Sequence, residues 1–229
     1  MSALCTHQEN KMSIDRYTVA LNQAAHAAMA FLKRSPVIEL MISDRPNGRK
    51  PFGICNYEEP KHWLDEVWIT LAGPIAVAIF EGSDGLFTIT GYESSDYHHA
   101  IETCQNLVLD KVPSSLLPYI PANANINFFE SIVAGFYDCG LKGQMKRELK
   151  RYAKHYCKAY QFACEMVLRQ MKAVRQFIEN NSSFMEFAHK LAAELDSACY
   201  MNQDDLYAFC KTLGTQSEGG NENAPQVAA

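Results

Sequence analysis

Between residues 20 and 30 the chain places six alanines (Ala20, Ala24, Ala25, Ala27, Ala28 and Ala30), with no glycine or proline among them. Alanine is the strongest helix former, and Tyr17, Leu21, Ala24, Ala28 and Phe31 or Leu32 recur at helical spacing as a core stripe. The spacing predicts a helix from Ser13 or Asp15, either of which can cap it, to Lys33, with Pro36 forbidding continuation. So little side-chain bulk lets neighbouring elements approach closely. Whatever packs on this helix must fit against a nearly smooth face, and two polar side chains, Asn22 and His26, stand one turn apart on it.

The remaining pattern predicts a mostly α protein with a small β hairpin. Residues 37–42 and 52–57 read as strands joined by a turn-rich stretch. Pro60 opens an apolar helix over 62–80 that ends at Gly82, and Asp96 begins another helix to about 109. Residues 111–127 hold three prolines and read as a connector. From about 126 onward the period is helical, with a long helix near 144–179, a shorter one near 183–197, and a last one capped within Asn202 to Asp205. The expected organisation is a flexible leader over 1–12, one domain over 13–213 and a disordered tail over 214–229.

Charge and cysteine usage narrow the class. A net charge of −5 argues against nucleic-acid or anionic-membrane binding through bulk electrostatics, and the basic cluster at 142–158 reads as a solvated helix face. The eight cysteines are scattered singly, with neither the paired spacing of a zinc ribbon nor a disulfide framework. No apolar run is read as long enough to span a bilayer, and no signal pattern opens the chain, so a reducing cytoplasm is expected.

The polar residues of the first helix form the stretch Asn22-Gln23-Ala24-Ala25-His26. It reads as a zinc-protease HExxH motif that keeps only its second histidine. In the intact motif two histidines grip the metal, and the glutamate takes a proton from metal-bound water. Downstream come Ser35-Pro36-Val37-Ile38, then Leu71-Ala72-Gly73-Pro74-Ile75-Ala76-Val77, then Gly91-Tyr92-Glu93-Ser94-Ser95-Asp96-Tyr97-His98-His99-Ala100. In that order they resemble the peptidase domain of the FtsH-type AAA+ zinc proteases: a Pro-Val strand start, an LAGxxAE helix, and a GxxSDxxxA helix opening. The closing helices over 174–209 are similar too. The resemblance covers roughly 14–213, and the segment 111–140 aligns with nothing in it.

The resemblance implies a zincin-like helical fold. It carries metal-ligand positions onto Asn22, His26 and Asp96, and the general-base position onto Gln23. The departures fall on the chemistry. Asn22 replaces a histidine, Gln23 replaces the glutamate, and Val77 replaces the acid after LAGxxA. Gln23 is neutral at every pH and cannot deprotonate water. An amide oxygen such as that of Asn22 suits hard cations better than zinc.

With no phosphate loop GxxxxGK[ST], ATP is not an expected cofactor, and zinc is expected only if His98 or His99 joins His26 and Asp96 in a new ligand set. Glu93 is the nearest acid to the third ligand position. The expected function is a catalytically inactive, pseudopeptidase-like module that binds peptide or protein. The alternatives are an active metal-dependent peptidase, or a structural subunit in a ring of itself or of an AAA+ relative. The aromatic side chains Tyr152, Tyr156, Tyr160, Phe162, Phe177, Phe184 and Phe187 are expected to pack the C-terminal helices or to form a seam in such a ring.

Overall fold

The computed structural model describes residues 3–44, 51–83, 96–137 and 140–217, with side chains from 16 to 213. The protein is mostly helical with one small antiparallel sheet. It divides into two compact units: Met1–Phe87 with Val174–Ala229, and Thr88–Ala173.

The first unit is built around α1 (Ala3–Leu32). The helix begins well before the Ser13 or Asp15 start and takes in most of the expected leader, because no glycine or proline between Ala3 and Asp15 stops it. Its alanines are buried, Ala20, Ala24, Ala25, Ala27 and Ala30 completely, while Leu21 and Met29 fill the wider gaps. Helices α2 (Trp63–Phe80) and α6 (Ser182–Ala198) pack against it, as do both strands of the hairpin, β1 (Val37–Ser43) and β2 (Phe52–Tyr57). Arg16 reinforces the α1–α6 contact, holding Asp196 at 2.7 Å and Asp44 at 2.6 Å. The next residue adds a second contact to α6, the Tyr17 hydroxyl meeting His189 Nδ1 at 2.8 Å.

The strands pair as expected, Leu40 opposite Cys55 and Ile42 opposite Gly53. A third strand, β3 (Tyr200–Asn202), completes the sheet in the order β2-β1-β3. Three residues between two helices are too few to show a period of two, so the pattern reads through them as helix. What makes them a strand is Cys199, left-handed at φ 65°, which ends α6 and turns Met201 in opposite Leu40. At the end of β3, Asn202 accepts from the Asp204 and Asp205 amides while Asp205 accepts from the Asn202 amide. That reciprocal cap starts α7 (Gln203–Ser217) where a capped helix was expected. The tail beyond 217 lies outside the described residues.

Helix α2 is apolar enough, at mean hydropathy 1.5 over 18 residues, to have the length and composition of a membrane-crossing segment, contrary to the reading of the sequence. Half of it is buried, and the buried side chains run from Val67 to Ala78. Its first turn carries Asp65 and Glu66, which favour the helix N-terminus, and Lys33 at the end of α1 reaches Asp65 at 2.9 Å.

Tyr57 at the end of β2 donates to Glu66 at 3.0 Å. Burial, and then the Glu66 charge, hold its phenol well above the ordinary tyrosine range. A raised folded value favours the neutral form, so this contribution is complete below about pH 10, the unfolded value, and is lost as pH rises above it. Tyr57→Phe is therefore expected to cost about 1 kcal/mol at pH 7. It should also lose less stability than the parent between pH 9 and 11, as read from urea midpoints at each pH.

The second unit holds α3 (Asp96–Asn106), α4 (Ile126–Ala134) and all but the last six residues of the long helix α5 (Gly143–Glu179). Asn125 caps α4 by accepting from the Phe128 amide, and Gly135 ends it at φ 84°. Within the connector, a 3-10 turn at Leu117–Tyr119 follows Leu116, which is fully buried. Leu116, Phe129, Ile132, Leu149, Tyr152 and Ala153 form this unit's core. The stretch 111–140 thus supplies Leu116, Phe129 and Ile132 to the core.

Candidate functional site

The three residues of the degenerate motif come together on the inner side of α1. His26 is only 6% exposed, and its Nδ1 lies 2.7 Å from the carbonyl of Ile69 on α2. A carbonyl only accepts, so Nδ1 carries the hydrogen and donates it, and Nε2 keeps its lone pair. In metalloenzymes the same outer contact fixes a ligating histidine. Here it anchors the ring to α2 in a turn loosened by Pro74, whose ring nitrogen has no hydrogen for the Thr70 carbonyl.

Two glycines make room for this arrangement. A Cβ on Gly73 would lie 2.6 Å from His26 Cε1 and 2.8 Å from Asn22 Nδ2, so α2 passes the polar pair at backbone distance. A Cβ on Gly53 of β2 would lie 2.9 Å from both Gln23 Cδ and Val19 Cγ1. Gly73 was legible as part of the LAG motif, but its use as a seat for His26 was not. Gly53 was missed altogether. The signal that could have found both is the pairing of a smooth alanine face with glycines on the elements packed against it.

Gln23 Nε2 donates to Asn22 Oδ1 at 2.7 Å. The amide in the ligand position is thereby committed to the amide in the base position. The motif residues of the first unit then supply one imidazole and two neutral amides. A catalytic zinc takes three strong N, O or S donors, so these residues do not by themselves fit one. Among the described residues, no group of three or more His, Cys, Asp or Glu is placed to hold a metal ion.

Asp96, the remaining ligand position, belongs to the second unit, where it opens α3 half-buried. His98, two residues on, lies 3.3 Å from Glu102 on its own helix, and His99 is exposed. Glu93 and the rest of the GxxS stretch lie outside the described residues.

Chemically, the α1 residues can accept a hydrogen bond at an imidazole and exchange amide hydrogen bonds. They hold no group that can take a proton from water in the way the motif's glutamate does. Neither a scan of protein-family models nor a search of curated proteins returns a match to this chain.

Proposed function

We propose that the chain is a zincin-like relative of the FtsH-type peptidase domain that no longer hydrolyses peptides and serves in the cytoplasm as a protein- or peptide-binding module. The observation that carries this reading is the hydrogen bond from Gln23 to Asn22, two neutral amides where the motif has a base and a ligand. Support comes from His26, which keeps the tautomer of a ligand yet sits buried against Gly73. Loss of both ligand and base removes the metal's grip and the proton acceptor together, while leaving the helix packing that shapes the site. The binding role follows as what such a scaffold retains.

The test is metal content and casein cleavage on the purified full chain. The parent is expected to carry far less than one zinc and to leave casein intact. The double variant Asn22→His/Gln23→Glu is expected to bind about one zinc per chain, since it restores the motif's two histidine donors and the resemblance gives Asp96 as the third. One zinc per parent chain, with casein cleavage abolished by His26→Ala, would overturn the reading. A double variant that folds but takes up no zinc would sink the assignment of the site itself.

A further inference from the structure

Within the second unit, helix α5 carries a stripe of cations along most of its length. Arg147, Lys150, Arg151, Lys154, Lys158, Arg169 and Lys172 are all exposed, while Leu149, Ala153, Ala163 and Val167 on the other side are buried. At about 100° and 1.5 Å per residue, the seven fall within a band about 100° wide and roughly 38 Å long. None of them makes a hydrogen bond or ion pair with another described residue. Total charge does not account for the stripe, because the unit Thr88–Ala173 has ten Lys and Arg against eight Asp and Glu. Seven of those ten cations share this face, six pairs of them three or four residues apart, where like charges repel. A merely solvated face would interleave acids, as Arg175 and Glu179 do at the end of the same helix.

The acids of the unit stand beside the stripe rather than on it. Glu148 lies off one edge and accepts from Gln144, and on the same flank Asp110 stands 3.6 Å from His155. On the other flank, Glu130 of α4 acts electrostatically on Cys157 and Tyr160. The one acid on the band is Glu165, and it sits in a gap of about 16 Å that separates Lys158 from Arg169. Exposed Gln161 and Leu168 share that gap, with Phe162 at its edge.

This division into two blocks selects the partner. An acidic peptide covering all seven cations would need about eleven extended residues and would lead its carboxylates past Glu165. An anionic bilayer would lay a flat layer of headgroups against the flanking acids. Phe162 and Leu168, about 120° apart around the helix, could not enter it together. Duplex DNA instead sets its phosphates in two lines with a major groove about 12 Å wide between them. That width, with the phosphates on either side, matches the gap.

We infer that α5 of the second unit crosses the major groove of duplex DNA, with Arg147 to Lys158 on the phosphates of one strand and Arg169 and Lys172 on those of the other. Glu165 then lies over the groove, away from both lines of phosphate, where a carboxylate accepts from cytosine N4 and the Phe162 ring meets a thymine methyl. The contact is local, so the net negative charge of the whole chain does not oppose it at close range. The inference concerns the second unit alone and stands whether or not the first unit has lost hydrolysis.

Fluorescence anisotropy on the full chain tests it, with a fluorescein-labelled 20-base-pair DNA duplex of mixed sequence as the probe. The same sequence as an RNA duplex, a 15-residue glutamate-rich peptide and phosphatidylserine vesicles serve as competitors. The DNA duplex is expected to bind at 50 mM NaCl, with log affinity falling against log salt at a slope of about −5 to −6 for seven cations. Affinity should therefore drop a few hundredfold by 150 mM. Lys150→Gln/Lys154→Gln and Arg169→Gln/Lys172→Gln should each make the slope shallower by nearly two, with unchanged circular dichroism spectra. Glu165→Gln should leave the slope as it is, because Glu165 touches no phosphate. No binding of the duplex at 50 mM NaCl, a slope moved by only one of the two double variants or by neither, a slope changed by Glu165→Gln, or equal or tighter binding of the RNA duplex, the peptide or the vesicles would each overturn the inference.

Discussion

Phe129→Ala is expected to lower the unfolding free energy by about 3–5 kcal/mol, the usual cost of emptying a large aromatic site in a core. Phe129 is 2% exposed and belongs to the cluster that closes the second unit. Its ring stacks on Tyr156 at 3.9 Å between centroids and meets Phe128 and Tyr152 edge-on. Aromatic contacts of this kind add to the area buried, and a helix of nine residues such as α4 has no stability of its own to fall back on. Removing the ring should therefore loosen α4 from α5 as well as leave a cavity. Urea unfolding read by circular dichroism gives the loss, and limited proteolysis should show new cleavage within 111–140. A loss under about 1 kcal/mol, in the range of surface substitutions, would mean that this segment is not core.

Gly73→Ala should be the most damaging single methyl in the first unit, with a loss of about 2–4 kcal/mol. Propensity alone predicts the opposite sign, since alanine in a helix interior is favoured over glycine by about 1 kcal/mol. The added Cβ, however, would overlap the His26 ring and the Asn22 amide. His26 can yield only by giving up its bond to the Ile69 carbonyl, which leaves a buried polar group poorly satisfied. The expected drop in melting temperature is about 5–12 °C for a chain of this size. Tryptophan fluorescence reports it directly, because Trp63 and Trp68 are the only tryptophans and both lie on α2. Gly82→Ala is the control. It has φ 65° and open space around it, so its cost is backbone strain alone, about 1 kcal/mol. A neutral or stabilising Gly73→Ala would show that His26 is not seated against α2.

These two sites also show how unevenly the structure could be read in advance. The hairpin strands near 37–43 and 52–57 and the helices starting near 63, 96, 143 and 182 follow from local signals such as β-branched runs, caps, and prolines or glycines at the breaks. Strand β3 does not, because its identity depends on the edge that β1 offers it. The cores of the two units are comparably opaque. Leu116 and Phe129 sit in or near a proline-rich stretch, and only their neighbours across space make them core residues. For the candidate site, the type and spacing of Asn22, Gln23 and His26 were visible from the start, whereas their partners were a backbone carbonyl and two glycines. A backbone carbonyl has no side-chain signature at all, and a glycine signals only freedom.

By itself the amino-acid order placed most of the helices and set Asn22, Gln23 and His26 on one of them, since both depend on residues close along the chain. Tertiary structure alone decided that His26 is held by the Ile69 carbonyl, and that Gly73 and Gly53 give the α1 side chains room. The reason is one of range. Periodicity and side-chain chemistry act over a few residues, but the packing distance between two backbones 30 to 50 residues apart is set only when the whole unit closes around them.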